Sequence, residues 1–293
     1  MRWRGFISLY VFLFFIATCL QLFRLAVWTN DSQSSAASVL DAGNLIDSTL
    51  VTAYFDIPSK HSSDHYAKWM TNLLSVQDNI IVFTDKYSRK RVVEYAASTK
   101  ENIVFIQLEL NETHIAEMFN LIPDFWIRQF SIDPEQSIHR DYRLYWIWHE
   151  KTTFLKKAKD MNPYNSEFFA WIDIGYLRED KYTGKQLITG IPRDFRTDQV
   201  MMLDVSHIIP GFVGGGFIGG FADGIDRWYN LYYKIIWENR GQFIGTDQPW
   251  MRKSCDVEPD MCYLVTPRND GGDEWFYMAT FLHSQHKVSV VSG

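Results

Sequence analysis

Three segments of this chain carry residues whose types and spacing could do chemistry. In Trp171-Ile172-Asp173-Ile174-Gly175 an apolar run ends in a carboxylate and then in a residue without a side chain. Such a turn lets a carboxylate face a bound cation or a ribose while the backbone approaches the ligand closely. The alternative is an aspartate that caps a loop or the next helix. In Pro210 to Gly220, glycines at 211, 214, 215, 216, 219 and 220 alternate with Phe and Ile. They permit positive φ and close approach to a ligand, or else a bend between two strands. No Gly-Lys-Ser/Thr follows, so this is not a phosphate-binding P-loop, and the Rossmann glycine spacing is not placed after the first strand. In Gly245-Thr246-Asp247-Gln248-Pro249-Trp250, Thr246 or Asp247 can cap a helix with Pro249 in its first turn. Asp247 and Gln248 then offer a carboxylate and an amide at a helix start, or a plain N-cap. His283 supplies an imidazole, either as a ligand or as a buried, hydrogen-bonded core residue. Hydrolase nucleophile elbow, zinc signature and kinase set are all missing, so the catalytic options rest on carboxylates.

The elements that must position these groups read as strands alternating with helices. Thr49 to Ile57 has the β-branched and aromatic residues of a buried strand. Ser63 can cap a helix in which Tyr66, Trp69, Met70, Leu73 and Leu74 recur at helical spacing. Asn79 to Phe83 is a second strand, followed by Thr84-Asp85 and a helical segment near Val92 to Ala97, and Ile103 to Leu108 is a third. A long helix over Asp141 to Lys159 stops before Asn162-Pro163, because the residue preceding proline is biased out of the helix. Phe168 to Asp173 is then a short buried strand that ends in the acid. This alternation predicts an α/β fold with a mainly parallel central sheet covered by helices on both faces. In such sheets ligands bind outside the carboxyl ends of the strands, which is where Asp173 falls.

A net charge of -6 without a long Lys/Arg run excludes a nucleic-acid footprint. The apolar stretch Gly5 to Phe23 carries no charge and is long enough to cross a bilayer, longer than the apolar region of a cleaved leader. Arg2 and Arg4 precede it, which sets the N-terminus in the cytoplasm. The expected organisation is a cytoplasmic tail over 1–4, a transmembrane signal-anchor helix over 5–27, a stem over 28–47 and a lumenal domain over 48–293. The competing reading is a secreted protein with a cleaved leader. Sequons at Asn30 and Asn111 fit a lumenal domain, and Cys255 and Cys262 are either paired or free and buried.

Taken in order, Trp148 to Lys151, Phe154-Leu155, Asn162-Pro163-Tyr164-Asn165-Ser166, Trp171 to Gly175, Gly216 to Gly220 and Thr246-Asp247-Gln248 resemble the HtrL/YibB family, also called the WlaTC/HtrL glycosyltransferase family, from about Thr49 onward. The resemblance implies a GT-A-like fold, with a nucleotide-binding half and an acceptor-binding half in one continuous domain, and a sugar transferred from a nucleotide-sugar donor to a glycan or glycoprotein acceptor. Asp173 matches the position of an aspartate-rich metal motif, but Gly175 stands where the second carboxylate belongs. A divalent cation, manganese or magnesium, would then be held by Asp173, His283 and the donor's phosphates, and Gly175 counts against it. On this reading Phe55 and Asp85 contact the nucleoside, Lys151 the diphosphate, and Gly175, Gly215 and Gly216 allow close backbone approach. Asp247 is the catalytic or acceptor-binding carboxylate, with Gln248 orienting a sugar hydroxyl. Asp173→Asn and Asp247→Asn are expected to abolish transfer while leaving the melting temperature nearly unchanged. The layout of tail, anchor, stem and lumenal domain resembles that of type II Golgi enzymes. The rival function is a non-catalytic carbohydrate-binding protein on the same fold.

Overall fold

The computed structural model describes residues 46–58, 63–96, 101–268 and 272–289. The tail, the anchor helix and nearly all of the expected stem lie outside these residues. Among the described residues no helix is long and apolar enough to cross a membrane.

Seven strands form one sheet: β1 (Ser48–Tyr54), β2 (Asn79–Thr84), β3 (Ile103–Gln107), β4 (Phe168–Ile172), β5 (Val200–Asp204), β6 (Val213–Phe221) and β7 (Cys262–Val265), in the order β3-β2-β1-β4-β6-β5-β7. The β1–β2, β2–β3, β1–β4 and β5–β7 pairs are parallel, as expected for strands joined by helical crossovers. β6 departs from this pattern and runs antiparallel to both β4 and β5. The reason is local, since the connection from Val205 to Phe212 is shorter than the dozen or so residues a parallel crossover needs. The sheet is therefore mixed.

Alternate residues of each strand enter opposite cores. Val51, Ala53, Ile81, Phe83 and Trp171 face one, while Leu50, Ile80, Val82, Ala170 and Ile172 face the other. Two long helices, α6 (Arg143–Met161) and α7 (Ala222–Glu238), cover the first face with Phe154, Leu155, Trp228 and Tyr232. The second face is covered by α1 (Ser63–Leu74), α2 (Lys86–Tyr95) and α9 (Tyr277–Ser289) through Met70, Leu73, Val92, Met278 and Leu282. Shorter helices α3 (His114–Met118), α4 (Phe125–Ser131) and α5 (Gln136–His139) precede α6, and α8 (Gln248–Val257) precedes β7.

The Asn-Pro motif proves to be a turn that returns the chain to β4. Asn162 ends α6 in the left-handed region at φ 35°, and its side chain accepts from Ser166 N at 2.7 Å and donates to Ser166 O at 3.0 Å. The glycine segment is not a run of left-handed residues, and its pairing with β5 shifts register between Met201 and Leu203, as a bulge would. It is the wholly buried strand β6, and only Gly211, before the strand, has positive φ. Its glycines are needed for close packing: a Cβ at Gly219 would lie 2.7 Å from the Phe168 ring. Cys255 and Cys262 form a disulfide that ties the last turn of α8 to the start of β7.

Candidate functional site

The carboxyl end of β4, the middle of β6, α6 and the start of α8 converge on one buried ammonium group. Phe154 and Leu155 anchor α6 against the sheet and so turn Lys151, one turn earlier, toward the end of β4. Lys151 Nζ donates to Asp247 Oδ2 at 2.9 Å and Gly215 O at 2.8 Å, and lies 3.3 Å from Asp173 Oδ1. These three acceptors account for its three protons. Burial alone would push this ammonium down, but the carboxylates of Asp173 and Asp247 outweigh burial and hold its pKa above the ordinary value.

The two carboxylates differ in access. The Asp247 side chain is 6% exposed and that of Asp173 is 43% exposed. Asp247 stands at the N-cap position of α8, yet its side chain caps nothing and turns to Lys151. Asp173 N donates to Gly216 O at 3.0 Å, and Asp173 Oδ1 accepts from Trp171 Nε1 at 2.9 Å, so the carboxylate is held from two sides. A Cβ at Gly215 would lie 2.9 Å from Gln248 Cγ, and one at Gly216 would lie 2.7 Å from the Tyr176 ring. Only glycine at these two positions lets β6 approach the cluster.

Asp173, Lys151, Gly215, Gly216, Asp247 and Gln248, drawn from distant parts of the chain, are thus brought together. Lys151 is the cluster's internal counter-charge rather than a free contact for a diphosphate, because its protons are already engaged. Phe55 does not reach the site: it is 4% exposed and stacks on Phe154 in the core. Asp85 does lie beyond the carboxyl end of β2, but it is the N-cap of α2, accepting from Ser88 N at 2.6 Å. His283 lies at the other edge of the sheet. Its Nδ1 bonds Gln186 O at 2.9 Å, next to Leu187 and Ile188, whose N–H groups donate to the Asp78 carboxylate before the amino end of β2. A strand of this length separates the two edges by roughly 20 Å, so His283 is not a partner for Asp173.

The donor set also fits poorly with a divalent metal. The direction a side chain at position 175 would take is filled, since a Cβ there would lie 3.2 Å from Trp69 Cε3 and 3.5 Å from Tyr66 Cε1. Aromatic rings thus crowd the side toward which a second carboxylate would project. The space between the two acids holds Lys151, and among the described residues no group of three metal-ligating side chains converges.

Sequence reasoning missed two sets of residues. Tyr66 and Trp69 belong to the apolar stripe of α1 but are only partly buried; both pack on Gly175, and Tyr66 also lies against the core of the second face. The Arg178 guanidinium lies 3.4 Å from the centre of the Trp69 ring and 4.8 Å from that of Phe276. Its place three residues beyond Gly175 was the available signal. The second set positions the Asp247 loop. Gln129 donates to Gln242 O and accepts from Ile244 N, while His149 Nε2 lies 2.6 Å from Ile244 O. A carbonyl requires that Nε2 carry the proton, so Nδ1 accepts from the Tyr232 hydroxyl at 2.7 Å.

Burial pushes the His149 imidazole down to about 4, against the pull of the Ile244 carbonyl. Because its pKa is depressed on folding, its stabilising contribution is present above about pH 6.5 and is lost as pH falls through about 4. Neighbouring Glu150 has the opposite slope: burial pushes it up to about 7, so its contribution is present below pH 4.5 and lost as pH rises through 7. His149→Gln can keep both hydrogen bonds without a titrating group. The variant is expected to gain stability relative to the parent as pH falls from 6.5 to 4, by up to about 3 kcal/mol. Urea unfolding at three pH values measures this, and a pH-independent difference contradicts the assignment.

The profile of a family described as a bacterial protein of unknown function (HtrL_YibB) matches residues 46–276. Protein HtrL of Escherichia coli (strain K12) is 22% identical over 217 residues, covering 66% of this chain and 76% of that protein. Similar solved structures include mouse xyloside xylosyltransferase 1 in its apo form, at 10% identity and a TM-score of 0.42, covering 75% of this chain and 85% of that one. Another is the PaToxG glycosyltransferase, at 11% identity and a TM-score of 0.38, covering 85% of this chain and 79% of that one. The galactosyltransferase LgtC, solved with donor and acceptor sugar analogues, has 11% identity and a TM-score of 0.38 over 74% of this chain and 73% of its own. These are loose likenesses of shape.

Proposed function

The chain belongs to the HtrL_YibB family, and from that premise we propose that it is a glycosyltransferase of GT-A-like fold, moving a sugar from a nucleotide-sugar donor to a glycan or glycoconjugate acceptor. Membership alone supplies no reaction. The observation that carries the reading is the buried Lys151 that joins Asp173 and Asp247 beneath the Gly215–Gly216 backbone, at the carboxyl edge of the parallel strands.

In the transfer, an acceptor hydroxyl oxygen forms a bond to the sugar's anomeric carbon. The bond from that carbon to the diphosphate breaks, and the nucleoside diphosphate leaves with the electron pair. The hydroxyl proton needs a base, and Asp173 is the carboxylate of the cluster that a substrate can reach. Asp247 is hydrogen-bonded to Lys151 and buried, so its role moves from the reacting atoms to positioning: it fixes the ammonium that in turn orients Asp173. Gln248, on the rim beside Gly215, is placed to orient a sugar hydroxyl. No step is routed through a metal.

The apolar stretch Gly5 to Phe23 supports a type II anchor with the domain in the lumen of the Golgi, and the Cys255–Cys262 disulfide suits such an oxidising compartment. Protease protection of the domain in intact microsomes is the expected result, and digestion without detergent counts against this topology.

The direct test incubates the full-length chain with a panel of nucleotide sugars and mixed glycan acceptors and measures nucleoside diphosphate release. Release from one donor class is expected. Saturable glycan binding with neither binding nor turnover of any nucleotide sugar would establish the carbohydrate-binding reading instead.

A further inference from the structure

We infer that Arg178 binds the diphosphate of the donor, supplying the positive charge that a divalent cation supplies in sites with two metal-binding carboxylates. The inference rests on the transferase reading and goes beyond it by naming the group that holds the donor's phosphates.

Most cations near the cluster are already paired. Lys151 is enclosed by three acceptors. Arg252 is paired with Asp204 and Asp256, and Arg143 with Asp141. Arg178 stands apart from these: it forms no ion pair within 4.0 Å among the described residues, and its Nε is buried without an acceptor. Nε itself is covered, so an incoming acceptor meets the guanidinium through its terminal nitrogens, which are not buried.

The mounting of the side chain indicates which acceptor fits. Trp69 and Phe276 lie against the guanidinium, with Trp69 closer, which restricts its rotation and leaves recognition to its edge. A planar guanidinium edge presents paired donors that match two oxygens of a phosphate. The segment carrying it is also fixed, because Asn72 Nδ2 of α1 donates to Leu177 O at 2.9 Å. Arg178 lies near enough to Asp173 for the carboxylate to act on it electrostatically. The Trp69 and Tyr66 rings that support this arrangement are the same groups that fill the direction of a side chain at position 175. One packing arrangement thus crowds the place of a second metal carboxylate and holds the arginine.

The test is calorimetric titration of the full-length chain with UDP, GDP, CDP and ADP, in EDTA and again in manganese, for the parent, Arg178→Met and Arg178→Lys. One nucleotide is expected to bind the parent equally in both buffers. Arg178→Met is expected to weaken it at least tenfold, and Arg178→Lys to recover part of the loss. The loss should be larger for the diphosphate than for its monophosphate, a difference that a merely structural role would not produce. Melting temperatures of the variants check folding. Binding that requires manganese, or that Arg178→Met leaves intact, overturns the inference while the transferase reading stands. Failure of every nucleotide to bind the folded parent in either buffer overturns both.

Discussion

Lys151→Met is expected to lower both stability and turnover more than any other single change at the cluster. The substitution keeps most of the apolar stem but removes the ammonium, leaving Asp247 with a 6% exposed side chain and no cation, and Gly215 O without its donor. Breaking a buried pair by deleting one partner costs about 3–5 kcal/mol, because the remaining charge stays desolvated. Turnover should fall by a factor on the order of 10³, since Asp173 loses the group that orients it. Asp247→Asn is milder, because the ammonium keeps Asp173 at 3.3 Å and the Gly215 carbonyl at 2.8 Å. It is nevertheless expected to cost about 1–3 kcal/mol, so the burial of this residue predicts a lowered melting temperature where the sequence alone predicts an unchanged one. The double variant Lys151→Met/Asp247→Asn removes both buried charges and should recover much of the stability lost in Lys151→Met while remaining inactive. Urea unfolding of the four proteins, with turnover measured in parallel, gives the coupling directly. Additive stability losses would show that the pair does not act as a unit.

Much of this architecture was legible in the residues. The strands over Thr49–Ile57, Asn79–Phe83 and Phe168–Asp173 could be read because both faces are covered, so each is a continuous apolar run. The helix before Asn162-Pro163 could be read because its stop signal is local. The direction of β6 could not, because its glycines remove the side-chain pattern by which a strand is recognised, and what fixes its direction is the short connection from β5. At the site, Asp173, Asp247 and Gln248 were legible as polar groups at element ends. Asp85 offered the same signal and is a cap, because a sequence does not distinguish a carboxylate that satisfies its own helix from one that turns away. Lys151 was expected to be free because nothing local shows that residues 64 and 96 positions later would enclose it. Arg178 was missed because its distinguishing feature is the pair of rings beside it, contributed by α1 and the segment before α9.

Asp173→Asn is expected to separate activity from stability. The Asp173 side chain is 43% exposed, so little desolvation energy depends on its charge. An asparagine retains an oxygen that can accept from Trp171 Nε1, and the change in unfolding free energy should stay within about 1 kcal/mol. Turnover should fall by roughly 10²–10³, because an amide cannot take the acceptor's proton. The donor's KM distinguishes the alternatives. If Asp173 acts on the acceptor hydroxyl while Arg178 holds the diphosphate, kcat falls and the donor's KM is nearly unchanged. If Asp173 instead held a divalent cation beneath the diphosphate, donor binding would weaken together with turnover, and raising manganese would restore part of both. The closed direction at position 175 and the ammonium between the two acids favour the first outcome.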